Sequence, residues 1–414
     1  MDYQYVKDFD EMGYGMCIHW GLYSKLNRGE WVQHLKNIPL NEYKKLSENF
    51  TATEFDAVKI AKTAKIVGMK FIIFTTRHHD GFSLYDTKGL NDYDVMHSPV
   101  GRDLVKEFVE ACRDYGILPI LYHTTMDWSW RDKKTWDLST DEIEPYLEYL
   151  RNSVELLCTN YGKIGGLIFD GDWCRSDIDW KHDELYGMIR KHQPEALIIN
   201  NTGLENPGEL TASEIDVVTF EQNKVEKVEI DSNRPIATMR WQTLNKHWGS
   251  ASRDLDFKSI KTCLYDMLDS RKKGAVHVHN IGPDGNGSFN YYDFAVMEAM
   301  GCWLHHYGEG FYGCKAGDFK CPGEDFYLEK DQYGYYYCHD LGIGSDGELT
   351  IFDGSVKNCV LENVNRKIKS IKWLCNDESL EFDQNLDNQT LTITATPYSY
   401  GTDMLVRVAK IEFE

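Results

Sequence analysis

Residues 166–173 read GLIFDGDW, and the prediction of the fold starts from this short stretch. Its first four residues, Gly166 to Phe169, form a run without interspersed polar residues, and Asp170 ends that run. A strand that reads this way is buried on both faces, which is typical of a parallel sheet covered by helices. The stretch therefore predicts one strand of a βα protein, with a carboxylate at its carboxyl end.

Similar runs lie on both sides of this stretch, separated by longer amphipathic segments. They are Gly15–Trp20, Met69–Thr76, Ile117–Tyr122, Ala196–Asn200, Asp216–Glu221 and Ala275–Asn280. Short apolar runs that alternate with amphipathic segments predict βα units around a parallel sheet. Because no G-x-G-x-x-G motif follows the first strand, the pattern favours a TIM-like (β/α) barrel, and a doubly wound open sheet is the alternative.

The pattern changes after a predicted helix at Tyr291–His306. Short alternating segments then follow, at Tyr335–His339, Glu348–Phe352, Ile368–Leu374 and Thr390–Thr394. Strands with this spacing predict an antiparallel β-sandwich. We therefore expect a barrel domain over residues 1–307 and a C-terminal β-sandwich domain over residues 308–414. The aromatic segment Phe326–Tyr337 is a candidate contact in a homo-oligomer.

The charge balance argues against two classes of partner. The chain has 66 acidic and 45 basic residues, a formal net charge of −21, and no run rich in lysine or arginine, so nucleic acids and anionic membranes would be repelled. No stretch approaches the roughly 20 apolar residues that span a bilayer. Residues 1–15 lack the basic and apolar parts of a secretory signal, which predicts a cytoplasmic protein. The 11 cysteines form no C-x-x-C pair and are expected to be reduced thiols.

The polar residues that end the apolar runs should meet, because the carboxyl ends of barrel strands converge on one mouth. Strand ends and the loops after them supply His19, Trp20, Glu30, Trp31, His78, His79, Asp80, Tyr122, His123, Trp128, Trp130, Asp170 and Glu221. Aromatic rings stack on the C–H faces of a sugar, and imidazoles form hydrogen bonds with its hydroxyls. Such a mouth fits a carbohydrate better than most other substrates.

Two carboxylates are the candidates for the chemistry, since glycoside cleavage needs an acid and a second carboxylate beside the anomeric carbon. Asp170 is the candidate nucleophile, because a buried strand leads into it and should hold it rigidly, whereas Asp172 should point differently. Glu221 is the candidate acid/base, because a carboxyl beside Phe220 and facing a negative neighbour has a raised pKa. The rivals for this second role are Glu226, Glu229 and Asp216.

Five motifs occur in order along residues 19–287. They are HWGLYS at 19–24 with EW at 30–31, RHHDGFSLYDT at 77–87, GRDLV at 101–105, FDGDW at 169–173 and NIGPDGNG at 280–287. Together they resemble the α-L-fucosidases of glycoside hydrolase family 29. The resemblance implies a retaining double displacement without metal or cofactor, on a barrel followed by a β-sandwich.

The same resemblance implies a role for individual positions. Asp170 would be the nucleophile, and the fucose pocket would be lined by His19, Glu30, Trp31, His78, His79 and Tyr122. Trp20, Trp128 and Trp248 complete the expected substrate-binding set. The chain departs from the family where members commonly read W-E ahead of W-G-Y. Here Ala237-Thr238 stands ahead of Trp248-Gly249-Ser250, which alters the expected wall around the leaving group.

Two histidine groups, His78-His79-Asp80 and His277-x-His279, have the composition of metal sites. Neither has a third ligand at an established spacing, so we expect no metal, and we expect structural roles for His277 and His279.

The leading hypothesis is retaining hydrolysis of terminal α-L-fucosyl groups from fucosylated oligosaccharides or glycoconjugates. A catalytically degenerate fucose-binding module, motivated by the altered wall, is one alternative. A retaining hexosidase for a galacto-configured sugar is another. Transfer of the sugar to an acceptor other than water is a variant of the first hypothesis. The loops Asp127–Ser139 and Lys224–Trp248 are expected to set linkage preference.

Overall fold

The first unit of the fold is a closed barrel of eight parallel strands, seen in a computed structural model that describes residues 3–226, 233–343 and 355–414. The strands β1 to β8 are Tyr14–Ile18, Phe71–Arg77, Leu118–Thr124, Gly166–Asp170, Leu197–Asn201, Val217–Glu221, Ala237–Thr243 and Val276–Ile281. Each pairs in parallel with the next, and β8 pairs with β1, which closes the sheet. The predicted barrel is therefore confirmed.

Helices connect most of the strands. In the described residues α1 to α9 are Gln4–Met12, Val32–Leu35, Leu40–Tyr43, Ala57–Ile66, Leu104–Tyr115, Thr140–Asn160, His182–His192, Ile260–Lys272 and Tyr291–Tyr307. Short 3-10 helices lie at Leu22–Leu26, Lys44–Asn49, Val95–His97, Trp130–Asp132, Thr135–Asp137, Asp172–Arg175 and Gly308–Gly310. None of these helices combines the length and apolar character that crossing a bilayer needs.

The helix ends follow from local sequence. A capping box of Ser139 and Glu142 begins α6, because each residue satisfies the other's free backbone N–H. The helix α5 ends at Gly116, which has φ 67° and adopts the left-handed conformation that glycine tolerates best. The link from β5 to β6, residues 202–216, contains no helix. Residues that follow β5 therefore form an open loop at the carboxyl end of the barrel.

One strand of the barrel, β7, has no counterpart among the predicted strands. It alternates apolar Ala237, Met239 and Trp241 with more polar residues, so it lacks the continuous apolar run that marks the other strands. Arg240 and Gln242 are nevertheless buried, because a closed barrel covered on its outside leaves neither face of a strand in water.

The barrel interior is filled by inward-facing side chains from all eight strands. Ile73, Ile120, Ile168 and Met239 belong to one buried cluster with Phe9 of α1. The ring centroid of Phe9 lies 5.0 Å from that of Phe71, the first residue of β2, so α1 covers the amino end of the barrel. Burying a side chain of this size contributes about 1.5–3 kcal/mol to stability. The amino end of the barrel interior is thereby closed by apolar packing.

The described residues of the C-terminal region form two antiparallel sheets. Strands β9 to β16 are Lys315–Ala316, Phe326–Lys330, Tyr333–His339, Lys357–Glu362, Ile368–Trp373, Phe382–Asn385, Thr390–Ala395 and Val406–Phe413. They form one sheet in the order β13-β16-β11-β10-β9 and a second in the order β12-β15-β14. Tyr336 and Ile411 of the first sheet share a buried cluster with Leu361 and Ile393 of the second. The predicted antiparallel domain after the barrel is confirmed.

Three of the four predicted C-terminal strands overlap β11, β13 and β15, and the fourth, Glu348–Phe352, lies outside the described residues. Contacts between Cα atoms divide the chain into a unit of residues 1–263 and 275–298 and a unit of residues 264–274 and 299–414. The boundary predicted at residue 307 stays a prediction.

Candidate active site

A cavity of about 460 Å³ opens at the carboxyl end of the barrel strands. It is lined by His19, Glu30, Trp31, His78, His79, Asp170, Trp173, Gly203, Leu204, Glu205, Glu221, Gln222, Trp241, Lys246 and Trp248. Most of the residues selected from the sequence therefore meet in one place, although they come from five different strands and the loops that follow them. The two candidate catalytic carboxylates, Asp170 and Glu221, both line it.

Asp170 is held by three side-chain donors. Its Oδ2 accepts from the hydroxyl of Tyr122 at 2.7 Å, and its Oδ1 accepts from Trp173 Nε1 at 3.0 Å and from Asn201 Nδ2 at 3.1 Å. Burial raises the pKa of Asp170 above its ordinary value, and the three hydrogen bonds oppose that rise because they favour the charged form. The Asp170 carboxylate is thus held in one orientation, and its hydrogen bonds offset only part of the pKa rise that burial causes.

One amide joins the two carboxylates. Asn201 Nδ2 lies 3.1 Å from Asp170 Oδ1 and 2.7 Å from Glu221 Oε2, so these oxygens are separated by at most the sum of the two lengths, about 5.8 Å. The Asn201 carbonyl accepts from the Thr219 hydroxyl at 3.2 Å, which fixes the orientation of the amide. Strands β4, β5 and β6 are neighbours, and these three residues are their last ones.

Glu221 has the properties of a proton donor near neutral pH. Burial raises the pKa of Glu221 to about 7, and the negative charge of Asp170 adds to the rise. Hydrogen bonds from Asn201 and Trp248 oppose it. Two nearby acids whose pKa values are pushed upward by a dry site and by each other are typical of catalytic acid/base pairs. The proton is therefore retained more strongly by Glu221 than by a solvated glutamate.

Three histidines line the cavity as neutral imidazoles. Burial lowers the pKa of His19 to about 4, that of His79 to about 3, and that of His78 well below its ordinary value. His19 Nδ1 lies 2.6 Å from the Asn280 side-chain oxygen, and His79 Nδ1 lies 2.7 Å from Thr124 Oγ1. The Asn280 side-chain oxygen can only accept, and the Thr124 hydroxyl already donates to the Met126 carbonyl, so Nδ1 of each ring is the donor. The Nε2 atom of each ring is then left as an acceptor for a hydroxyl.

Glu30 belongs to the wall of the cavity. Its Oε2 accepts from the backbone N–H groups of Trp248 at 3.1 Å and Gly249 at 2.8 Å, which ties the loop after β1 to the loop after β7. Burial raises the pKa of Glu30. Trp31 lies beside it and stacks on Trp173, with ring centroids 6.2 Å apart and planes at 22°.

Three residues of the expected substrate-binding set do not line the cavity. Trp20 points elsewhere: its ring stacks on Phe55 with centroids 5.1 Å apart, and its Nε1 donates to the Asp284 carbonyl. Trp20 is a buried packing residue and does not belong to the cavity wall. Tyr122 lies behind Asp170, to which it donates. Trp128 packs against Trp31, 5.2 Å between ring centroids, and supports the wall from behind.

The rival carboxylates lie elsewhere or are not described. Asp216 precedes β6 at the amino end of the barrel, where Arg234 Nη1 is 2.6 Å from its Oδ1 and Arg190 also pairs with it. Glu226 is exposed and is not among the cavity residues. Glu229 lies outside the described residues. Asp172, as expected, points away and accepts from Asn200 Nδ2 at 2.9 Å.

The residues at which the chain departs from the family pattern do not lie where we expected them, in the wall around the leaving group. Ala237 and Thr238 begin β7 at the amino end of the barrel, so they cannot line a mouth at the carboxyl end. Ser250 donates to Asn27 Oδ1 at 2.7 Å. Neither departure removes a residue from the cavity.

The expectation that the protein binds no metal stays a prediction. Among the described residues, one group of three ligand-type side chains has its donor atoms within 4.8 Å of each other, and it lies in the C-terminal unit: Asp325, Cys338 and Cys359. His279 Nδ1 lies 3.0 Å from the Tyr14 hydroxyl within the barrel, which agrees with a structural role for that histidine.

The residues of the site that sequence reasoning missed include Asn201, Trp173 and Trp241. Asn201 follows the rule that selected Asp170, but the predicted strand ended one residue too early, at Asn200. Trp173 was present in the quoted FDGDW motif without a role of its own. Trp241 lies on β7, the strand without an apolar run. A more accurate prediction of where β5 ends would have found Asn201. No local signal in the sequence marks Trp241.

The α-L-fucosidase family model matches residues 2–309. The chain belongs to this family of glycoside hydrolases. A relative of this family from Caenorhabditis elegans is 22% identical over 342 residues, which are 74% of this chain and 66% of that protein. Isoenzyme 1 of the Paenibacillus thiaminolyticus α-L-fucosidase is 29% identical, with a TM-score of 0.84 over 99% of both chains. An α-L-fucosidase from Bacteroides thetaiotaomicron is 22% identical, with a TM-score of 0.82 over 99% of this chain and 96% of that one, and was solved as a trapped covalent intermediate with 2-fluoro-fucosyl fluoride.

Proposed function

We propose that the protein is a retaining exo-α-L-fucosidase that removes terminal α-L-fucosyl groups from oligosaccharides or glycoconjugates. The observation that carries this proposal is the single amide of Asn201, which hydrogen-bonds to Asp170 and Glu221 and limits the separation of their nearest oxygens to about 5.8 Å. Retaining glycosidases place their two carboxyl groups about 5–5.5 Å apart, and inverting ones about 6.5–9.5 Å apart. The limit supports the retaining arrangement.

The reaction proceeds in two displacements. Glu221 donates its proton to the glycosidic oxygen while an Asp170 oxygen bonds to the anomeric carbon, which releases the aglycone as an alcohol and leaves a β-fucosyl ester. Glu221, now ionised, takes a proton from water, whose oxygen attacks the anomeric carbon and releases Asp170. The product is α-L-fucose, and both carboxyl groups return to their starting states.

The pocket walls suit a deoxy sugar. Trp31, Trp173, Trp241 and Trp248 supply aromatic surface that fits apolar C–H patches and a methyl group. The neutral imidazoles offer acceptors for ring hydroxyls, and they do so without adding a positive charge that would compete with an oxocarbenium-like centre. The family membership of the chain and the covalent intermediate of the Bacteroides relative support fucose and double displacement respectively.

The first test compares aryl glycosides. We expect the 4-nitrophenyl α-L-fucoside to be hydrolysed roughly 100-fold faster, in kcat/KM, than the α-L-galactoside, which differs by one added hydroxyl. Proton NMR of early time points should show α-L-fucose before the anomers equilibrate. Initial β-L-fucose would establish inversion. Faster galactoside turnover would favour the hexosidase, and fucose binding without any turnover would favour the degenerate module.

The pH dependence follows from the two raised pKa values. The active form has Asp170 ionised and Glu221 protonated, so kcat/KM rises as Asp170 loses its proton and falls as pH increases through the pKa of Glu221, about 7. Replacing Asn201 with alanine removes a hydrogen-bond donor that favours the charged forms of both Asp170 and Glu221. The rising and falling limbs of the pH profile of kcat/KM should therefore both move to higher pH.

Loss of the Asn201 amide should also lower kcat/KM by roughly 10- to 100-fold, since the two carboxylates lose their common support. Asn200→Ala is the matched control, because that amide binds Asp172 and Thr211 and should leave both limbs in place. Unchanged limbs in Asn201→Ala would contradict the shared-amide account.

A further inference from the structure

A second concavity, of about 710 Å³, lies beside the mouth of the barrel. Its lining residues are Leu26, Asn27, Arg28, Lys36, His247, Ala251, Ser252, Arg253 and Asp254. We call it the basic concavity, because Arg28, Lys36 and Arg253 all line it. Three cations in one hollow stand out on a chain whose formal net charge is −21.

The three cations are available to a ligand. Each is exposed, and within the described residues none makes an ion pair or a side-chain hydrogen bond. Asp254, the acid among the described residues that line the concavity, is already engaged: its Oδ2 lies 2.7 Å from His247 Nδ1 and accepts from the Lys246 backbone N–H at 2.8 Å. The three cations outnumber this one carboxylate, so the described residues that line the hollow carry a net positive charge that attracts an anion.

The basic concavity and the active-site cavity are lined by neighbouring residues of the same two segments. Arg28 lines the concavity, while Glu30 and Trp31, two and three residues later, line the active-site cavity. His247 lines the concavity, while its neighbours Lys246 and Trp248 line the active-site cavity. The two hollows are therefore adjacent.

The side of the active site that faces this wall is the side from which the leaving group departs. Glu221 protonates the glycosidic oxygen in the proposed mechanism, and the Trp248 side chain forms a hydrogen bond with Glu221. A sugar chain that leaves past Glu221 and Trp248 reaches the rim formed by Lys246 and His247. His247 of that rim also lines the basic concavity.

We infer that the basic concavity is a subsite for an anionic group, a sulfate ester or a carboxylate, on the sugar chain from which fucose is removed. This inference rests on the proposed fucosidase function. Arginine and lysine are the side chains that bind such groups, and guanidinium donors match their oxygens. Three cations surrounded by a strongly acidic chain favour one localised anion over a long polyanion, which the rest of the surface would repel.

The test uses matched fucosylated oligosaccharides that differ only in the residue next to fucose or one further on: neutral, sulfated or bearing a carboxylate. With the wild-type protein at low salt, kcat/KM should be roughly 5- to 10-fold higher for an anionic substrate, mostly through KM. Lys36→Gln combined with Arg253→Gln should remove that advantage and leave the neutral substrate unchanged. Salt at about 0.5 M should do the same, because exposed charges are then screened.

The control variant combines Lys62→Gln with Lys65→Gln on α4, which changes the net charge by the same amount at exposed positions outside both hollows. It should keep the preference for the anionic substrate. A third arm adds inorganic sulfate to the neutral substrate, to separate a free anion from one carried by the glycan; sulfate should compete with the anionic substrate only.

The outcomes separate two failures. If the neutral fucoside is not hydrolysed, the proposed function is wrong. If it is hydrolysed but anionic substrates have no advantage, or the Lys36 and Arg253 variant keeps that advantage, the subsite is wrong. A response of the neutral substrate to free sulfate, without any preference for an anionic glycan, would also overturn the inference.

Discussion

Replacing Asp170 with alanine should lower kcat on an aryl α-L-fucoside by roughly 10³-fold or more, because the covalent step loses its nucleophile. The variant keeps the three donors of Tyr122, Trp173 and Asn201 around the vacated space. Buried donors without an acceptor cost about 1–3 kcal/mol each, so a small anion should bind there. Azide should therefore restore part of the rate.

The stereochemistry of the rescued product is the sharper measurement. Azide that enters the vacated Asp170 position attacks the face opposite the leaving group, so the product should be β-L-fucosyl azide. Asp172→Asn is the control: it removes a carboxylate two residues away that binds Asn200 and does not line the cavity. It should retain most of the activity and give no azide product. Wild-type rates in Asp170→Ala would refute the assignment of the nucleophile.

Replacing Glu221 with alanine should lower kcat/KM on a fucosylated oligosaccharide by roughly 10²- to 10⁴-fold, since the leaving alcohol then departs without a proton. A dinitrophenyl fucoside, whose leaving group needs no proton, should lose far less in the first step. The fall of kcat/KM through pH 7 should also disappear, because the group whose pKa is raised to about 7 is gone.

Azide should rescue this variant with the opposite stereochemistry. The fucosyl-enzyme still forms on Asp170, and azide then attacks from the side that Glu221 vacated, which yields α-L-fucosyl azide. Glu226→Gln is the control at an exposed position outside the cavity. Equal losses on the oligosaccharide and on the activated fucoside, without azide rescue, would show that Glu221 is not the acid/base.

Much of the fold was accessible from local pattern. The run that ends at Asp170 was predicted with its bounds as they are observed, Gly166–Asp170, because a strand buried on both faces has an unmistakable composition. The strand β7 was not predicted, because Arg240 and Gln242 interrupt its apolar residues. These polar side chains are buried by the closure of the barrel, and closure is a property of all eight strands together.

The active site also contains residues whose positions the local sequence predicts and others whose positions it does not. Trp20 and His19 are adjacent in the sequence, yet His19 lines the cavity and Trp20 packs on Phe55, since neighbouring residues leave the backbone in different directions. Asn201 was missed by one residue at the end of β5. Its importance comes from its position between two strands that end in carboxylates.

The amino-acid sequence alone was sufficient to predict the barrel and the antiparallel domain after it. It was also sufficient to predict the carboxylates and histidines that line the mouth of the barrel. These features depend on which residues end apolar runs, and that information is local. The tertiary structure was needed to show that Asp170 and Glu221 share one amide, that Asp216 lies at the far end of the barrel, and that three cations line one concavity. Distances between side chains of different strands depend on the register and closure of the whole sheet, which no single segment encodes.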